Sequence, residues 1–481
     1  MNIELKPQPK PPLPQRWVAL DVLRGLSIFG MVFSAIIPHT VLPAWMYHVQ
    51  NPPPTHALDI SIPGISWVDW VFPLFIFCMG VAIPLANWKK SENKNQFFSG
   101  LSIRFLLLWA FAYLVTLLNP SGLKGFLHLE LFGVQVYNYD IQILILLGFC
   151  AMFAFFLRLK PSKKRVWVRV AGACVMLGLI ALFHWGYGAS LSLHKRSIIL
   201  LLLAFLYLFG TLIWYVSRNR WWIRVAFFVG IVGLSYLSKE TGFDNWLYNQ
   251  KSLSWALNME QIYFLIILIP AMWVGDYFSG HLGWMGQKTT LAESPPVGHL
   301  FHILLSMLAI FLCFGLYLRW HEWTLIGVSL SVLLLCLLIT RNSFRNLYPL
   351  IALAAFLLIV GLLMDPYEEG IKKVPATISY CFTMGGIGII LLLYFHYFCR
   401  LRPVSFFVRI FSRAGANPLM SYVAFGAFVL PLLHLTFSIG LYRAAYPEGE
   451  PWIGVLRAFV VVLATMYLVA IMSRKGIFWR A

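Results

Sequence analysis

Long apolar runs separated by short polar or basic segments recur from residue 19 to residue 472. They fall near 19–37, 69–87, 101–118, 139–157, 166–184, 197–216, 222–237, 257–275, 299–317, 323–340, 347–364, 378–398, 417–437 and 453–472. Each approaches the ~20 residues with which an α-helix crosses a hydrocarbon core, so the pattern predicts about fourteen transmembrane helices. No gap between them has room for a soluble domain. The segment 276–298 is rich in Gly and Pro, and it reads as an irregular connector. No internal repeat is evident, which disfavours the repeat-built secondary transporters.

Composition agrees with this reading and sharpens it. Of 481 residues, 60% are hydrophobic and 11% charged, whereas a soluble chain is about a quarter charged. The expected fold class is therefore an all-α polytopic integral membrane protein, with the lipid bilayer as its first partner. The formal charge of +19 changes the picture only through its distribution. Lys and Arg gather at Lys89-Lys90, Lys160 to Arg165, Arg218 to Arg224, Arg341 to Arg345, Arg400 to Arg413 and Arg474 to Arg480. Alternate connections are acidic or mixed, at 239–244, 365–369 and 446–450. This is the positive-inside pattern, and with an even number of spans it puts both termini in the cytoplasm. The loops 38–66, 119–138 and 238–256 then face outward. Topology and contact with anionic lipid account for the basic residues, and no nucleic acid is expected as a partner.

Residues 1–18 read as a cytoplasmic Pro-rich tail, not a signal peptide, residues 19–475 as the membrane domain and 476–481 as a C-terminal tail. In a bacterium such a chain belongs in the inner (cytoplasmic) membrane, because outer-membrane spans are β-barrels. The seven cysteines show neither metal-ligand spacing nor a disulfide framework, and no metal is expected. There is no P-loop and no Gly-x-Ser-x-Gly elbow.

Chemistry concentrates where polar residues meet the mouths of apolar runs. Asp21 and Arg24, spaced i, i+3 in Leu20-Asp-Val-Leu-Arg-Gly25, share a helix face. They serve either as a membrane anchor or with Arg24 turned inward onto a phosphate or carboxylate. Asp69 opens the second span ahead of Phe72-Pro73, with Pro73 placed near the first turn. Asp69 either caps that helix or orients an imidazole through its ring N–H. The loop 38–66 supplies His39, His48 and His56, and as a set they are candidates for a general base. Asn417-Pro-Leu-Met-Ser-Tyr422 opens the thirteenth span, where Asn417 can act as N-cap before Pro418. Arg319, His396 and Arg457 lie near span ends, where snorkelling is the simpler account.

Taken in order, Leu20-Asp-Val-Leu-Arg-Gly25, Asp69-Trp-Val-Phe-Pro-Leu-Phe, Lys373-Val-Pro-Ala-Thr-Ile-Ser-Tyr380, Gly415-Ala-Asn-Pro-Leu-Met-Ser-Tyr422 and Lys475-Gly-Ile-Phe-Trp-Arg480 form a pattern that spans nearly the whole chain. The pattern resembles the heparan-α-glucosaminide N-acetyltransferase family and its bacterial relatives, within the transmembrane acyltransferase fold. The resemblance implies a ten-helix core, to which 197–237 and 323–364 would add two inserted hairpins. It implies transfer of an acetyl group from cytosolic acetyl-CoA to an amino or hydroxyl group of an extracytoplasmic sugar or glycan. Arg24, Asp21, Arg400, Arg402 and Arg413 would form the CoA side. His56, or next to it His48, would act as base or acetyl carrier with Asp69, and Asn417 would stabilise the oxyanion. The sequence departs from the family in two places. The family's loop histidine position is Asp59 here, with His56 three residues upstream, and Ala35 replaces an Asn at the end of the first span. A homo-oligomer is compatible with this reading. The alternatives are a transporter or flippase for a glycan or lipid precursor, and a non-catalytic membrane subunit.

Overall fold

The computed structural model describes residues 17–118, 124–157, 163–189, 198–250, 259–279, 295–341, 347–403, 405–447 and 449–479. The tail 1–16, most of the connector 276–298 and the last two residues of the C-terminal tail lie outside them.

The chain is an all-α polytopic membrane protein. Its helices are α1 (Val18–Ser34), α2 (Trp67–Asn87), α3 (Lys94–Leu117), α4 (Tyr139–Phe156), α5 (Lys163–Tyr187), α6 (Ile198–Ser217) and α7 (Trp221–Thr241). The short α8 (Phe243–Asn249) and α9 (Met259–Tyr263) lead into α10 (Leu265–Ser279). Then follow α11 (Pro295–Tyr317), α12 (His321–Arg341), α13 (Tyr348–Met364), α14 (Ile378–Leu401) and α15 (Phe406–Gly415). The chain ends in α16 (Pro418–Ala424), α17 (Leu430–Leu435), α18 (Ile439–Ala444) and α19 (Pro451–Arg474). A π turn at Phe425–Val429 joins α16 to α17 in one continuous rod. The only sheet among the described residues is a small hairpin, β1 (Leu129–Leu131) with β2 (Val134–Val136), in which Glu130 faces Gln135.

Every expected span coincides with a helix or a continuous helical run. Twelve of them, among the described residues, are long and apolar enough to cross a membrane. The other two are α1, with 17 residues, and α10, with 15. Almost every residue of α10 is buried, as are most of α2 and α14. A helix apolar on all sides belongs at the centre of a bundle, and small residues let these helices close on one another. A Cβ on Gly80 would strike Leu268 and Ala271 of α10, and one on Gly275 would strike the Val81 carbonyl of α2. The proposed insertions do not sit apart from this core. In 197–237, α6 is mostly buried and packs on α2 and α3; in 323–364, α13 runs along α14. Their partners α7 and α12 are largely exposed.

Because the spans alternate in direction, the connections collect at two ends. At one end Gly64 N–H donates to the Ile371 carbonyl (2.7 Å) and Tyr139 OH to the Leu435 carbonyl (3.1 Å). This is the histidine end, which also holds 35–66 and 365–377. At the other, basic end, Arg218 donates to the Ser91 carbonyl (2.8 Å) and Leu157 bridges to Trp479. Exposed tryptophans mark both levels: Trp167, Trp221 and Trp222 at the basic end, and Trp185, Trp320, Trp323 and Trp452 at the histidine end. Indole prefers these interfacial depths.

Arg319, His396 and Arg457 are engaged by protein partners and do not simply snorkel. Arg319 pairs with Asp365 (3.0 Å), and Arg457 stacks on Tyr442 (4.2 Å) while donating to its carbonyl (2.9 Å). His396 accepts from Trp17 Nε1 (3.3 Å). Each is held by protein partners that hydropathy does not reveal.

Candidate active site

Helix α2 begins earlier than its apolar run suggests. Ser66 is the N-cap and Asp69 the third helical residue, which together form a capping box. The two oxygens of Asp69 divide their work. Oδ2 accepts from Ser66 N–H (3.0 Å), Ser66 Oγ (3.2 Å) and Val49 N–H (3.3 Å). Oδ1 lies 2.6 Å from His48 Nδ1 and 3.5 Å from Lys373 Nζ. Capping and imidazole orientation, read from the sequence as alternatives, therefore occupy different oxygens of one carboxylate.

The early start also moves Pro73 out of the first turn, where the sequence reading put it, and into the second. Pro73 has no N–H to offer the carbonyl four residues back, which is that of Asp69. Tyr380 OH donates to this carbonyl instead, at 2.7 Å. One missing donor in the Asp69-to-Pro73 string is thus answered by the last residue of the Lys373-to-Tyr380 string.

The segment 365–377 crosses the histidine end as a strap between α13 and α14. Gln50 clamps it by accepting from Val374 N–H (2.8 Å) and donating to the Val374 carbonyl (2.5 Å). Asp365 holds its start through Arg319, His321 (3.0 Å) and the Ile371 amide. Glu368 accepts from the first amides of α14, Ile378 (2.9 Å) and Ser379 (2.7 Å), and pairs with Lys239 (3.2 Å). Lys373 is thereby delivered to His48, with Nζ 3.1 Å from Nδ1. Burial draws the Lys373 ammonium below the ordinary lysine value, against the opposing pull of Asp69.

A single ring nitrogen offers either a proton or a lone pair. The shorter contact, to a carboxylate, is the stronger claim on His48 Nδ1, so Nδ1–H donates to Asp69. The other nitrogen, Nε2, then carries the lone pair. The His48 side chain is 39% exposed, against 3% for Asp69 and 21% for Lys373. The arrangement is a buried carboxylate that orients an accessible imidazole, with a cation at its back.

His56 is placed differently. At φ 50° it takes a left-handed conformation, packs edge-on against Tyr47 (4.5 Å), and its Nε2 accepts from Thr40 N–H (3.0 Å). Its lone pair is spent on holding the loop. His39 stands against His56 (5.3 Å) and Tyr47. Asp59 turns to Ser61, whose hydroxyl and amide hold its carboxyl below the usual range.

The remaining candidate residues lie at the basic end. Arg24 reaches Asp21 (3.4 Å) and the Gly415 carbonyl (3.3 Å). Gly25 and Gly415 allow this: a Cβ on Gly25 would collide with the Phe411 carbonyl, and one on Gly415 with that of Asp21. Pro418 is the first residue of α16, but Asn417 makes no cap bond. Its buried amide instead donates to the Ile477 carbonyl (3.1 Å) and accepts from Trp479 N–H (3.0 Å). Asn417 thus pins the C-terminal segment and does not meet His48. Arg400 and Arg402 are exposed at the end of α14, and Arg413 lies half-buried in the last turn of α15. No group of three or more His, Cys, Asp or Glu suited to a metal ion occurs among the described residues.

The sequence matches the family described as Domain of unknown function (DUF5009) over residues 16–278, more than half of the chain. The chain belongs to this family. No curated protein matches it. The DUF5009 match takes in Asp21, Arg24, His48, His56 and Asp69, whereas Lys373, Tyr380 and Asn417 lie beyond it. Lys373 and Tyr380 stand in one of the ordered strings with no role that the sequence assigns, and Gln50 carries no sequence signature at all. The available signal was the Ser66-x-x-Asp69 box with a proline four residues on.

Proposed function

We propose that this protein is a membrane-embedded acyltransferase that moves an acetyl group from acetyl-CoA to an amino or hydroxyl group of an extracytoplasmic sugar or glycan. The observation that carries the reading is the 2.6 Å contact between His48 Nδ1 and Asp69 Oδ1. A carboxylate that fixes the tautomer makes the far nitrogen of an imidazole a general base. The resemblance of the ordered strings to the heparan-α-glucosaminide N-acetyltransferase family supports acetyl-CoA as donor and a sugar as acceptor.

In the proposed reaction the acceptor's nitrogen or oxygen attacks the thioester carbonyl while His48 Nε2 takes its proton. The C–S bond then breaks, and CoA leaves as the thiol after receiving a proton. His48 replaces His56 as the favoured base because the lone pair of His56 Nε2 is already engaged. The polyanionic part of CoA stays at the basic end, where Arg24, Arg400, Arg402 and Arg413 offer charge to its phosphates. The basic end is then cytoplasmic, with both termini on that side, and in a bacterium the membrane is the inner one. Asn417 supports the architecture of the donor side.

The test is thiol release by purified protein given acetyl-CoA and a panel of amino sugars. Wild type should release CoA above the protein-free rate, and His48→Ala should lose about 10²–10⁴-fold, the usual worth of a general base. Release that never exceeds background with any acceptor, in protein that still binds or moves glycans, refutes the enzyme reading.

A further inference from the structure

We infer that Lys373 is a positioning residue whose ammonium keeps the Asp69-bound imidazole of His48 unprotonated, and so ready to accept a proton. The inference deepens the proposed function and rests on it for its chemical meaning.

A histidine beside a lone buried carboxylate is drawn towards the imidazolium form, since an opposite charge within about 4–6 Å favours the charged state. Such a ring has no lone pair left and is not a base. Lys373 changes this balance. Its Nζ stands 3.5 Å from Asp69 Oδ1 and 3.1 Å from His48 Nδ1. The ammonium therefore compensates the carboxylate and at the same time opposes a second positive charge on the ring. With Lys373 charged, Asp69 ionised and His48 neutral, the group sums to zero. Adding a proton to His48 leaves two cations against one anion behind a largely buried wall. Burial lowers Lys373, and the facing carboxylate of Asp69 opposes this by favouring its charged form.

Asp69 comes from α2, Lys373 from the strap, and Tyr380 from α14, the last of these bonded to the Asp69 carbonyl. Ser66 and Val49 offer neutral donors to Asp69. From the loop, His39 and His56 are packed on Tyr47. Lys372, the strap's other lysine, is paired with Glu369 at 3.6 Å. The placement of Lys373 is itself enforced: Gln50 grips both backbone groups of Val374, the next residue. A lysine meant only to solubilise a loop needs no such clamp.

The experiment reads protonation without relying on acetyl transfer. Diethylpyrocarbonate modifies neutral but not protonated imidazole, and fragment mass spectrometry resolves His48 from His39 and His56 in the full-length protein. The rate of His48 modification is followed against pH in wild type, Lys373→Met, Lys373→Gln and Lys373→Arg. The midpoint for His48 should move to higher pH by about one unit or more in Lys373→Met, and Lys373→Arg should restore it. His39 and His56 should not move in any variant. If Lys373→Met does not fold, Lys373→Gln carries the same expectation. Midpoints of the folded neutral variants that coincide with wild type overturn the inference. So does an upward move in Lys373→Arg as large as in Lys373→Met, which would make the effect one of shape and not charge. If the protein releases CoA, the acid limb of its pH–rate profile should move with the His48 midpoint. A midpoint that moves in a protein that releases no CoA supports the role of Lys373 and removes the acyltransferase reading.

Discussion

Asp69 and Lys373 should be coupled in stability, and a double-mutant cycle measures by how much. Asp69→Ala removes the capping box of α2, worth about 1 kcal/mol. It also leaves Lys373 without its carboxylate. Breaking a buried ion pair by deleting one partner costs about 3–5 kcal/mol, and since Lys373 keeps 21% of its side chain exposed, the lower figure of about 3 applies. The single mutant should therefore lose about 4 kcal/mol. Lys373→Met costs less, about 1–2 kcal/mol, because Asp69 retains His48, Ser66 and Val49 as donors and no buried group is left unsatisfied. The double mutant loses the cap but strands no charge, so it should cost about 1–2 kcal/mol and not the sum of about 5–6. The assay is equilibrium unfolding in mixed micelles titrated with a denaturing detergent, followed by tryptophan fluorescence. Single-mutant costs that add to within about 0.5 kcal/mol would mean two independent sites, and the ion pair would not be part of the structure.

Four further outcomes follow from the same geometry. His48→Ala should lose about 10²–10⁴ in CoA release, whereas His56→Ala should lose only its loop bond, about 0.5–1.5 kcal/mol of stability; the reverse ranking in the thiol assay refutes the choice of base. Gly25→Ala and Gly415→Ala each drive a methyl into a backbone carbonyl and should cost at least about 1–3 kcal/mol, read as lower melting temperature in detergent, whereas Gly230→Ala, in open space, should not. The buried pair of Arg224 and Asp276 (2.5 Å), which also receives Trp214 Nε1 (3.1 Å), should cost about 3–5 kcal/mol when Arg224→Met breaks it, and Asp276→Leu in that background should recover much of the loss. The folded value of Lys373 lies below its unfolded one, so in the alkaline window between them the unfolded chain holds a proton that the folded chain has released. Stability should gain from this group as pH rises towards about 10.4, and that contribution to the slope should vanish in Lys373→Met when melting is compared between wild type and variant.

The helices were legible in the sequence because the length of an apolar run is a local property. The pairings were not. His48 and Lys373 are 325 positions apart, and no periodicity reports a contact at that range. The family's loop-histidine position, three residues from His56, favours that residue, yet the loop folds back so that His48 meets the carboxylate and His56 accepts from Thr40 N–H. The two readings of Asp69 stayed open because a sequence shows one carboxylate, whereas the structure uses its oxygens separately. Asn417 looked like an N-cap since Asn-Pro is the usual opening of a helix; the competing claim came from Ile477 and Trp479, some sixty residues away. Arg319 was ambiguous for the same reason, its carboxylate partner lying 46 residues on.

The ordered strings sort themselves by end. Asp69-to-Pro73 and Lys373-to-Tyr380 meet at the histidine end, while Leu20-to-Gly25, Gly415-to-Tyr422 and the C-terminal segment meet at the basic end. Between them, α1 beyond Arg24, α2 beyond Asp69 and α14 as far as Phe395 hold no Asp, Glu, Lys or Arg; the charge at mid-depth is Arg104 of α3, which lies over the Tyr207 ring of α6 (4.6 Å). Gly30 of α1 lies against Trp67 and Val71 at the start of α2, so Arg24, six residues back, stands about 9 Å from that level at a helix's rise of ~1.5 Å per residue. Over that stretch these three helices offer a charged molecule no counter-ion, and a charge at mid-bilayer costs at least about 2.5–3.5 kcal/mol even by the lowest scales. An acyl donor has no such difficulty if its phosphates remain at the basic end and only its neutral thioester arm enters the bundle. Along α1, α2 and α14 the stretch between the two polar clusters is therefore uncharged, which suits the entry of a neutral arm better than the passage of a charged molecule beside these helices.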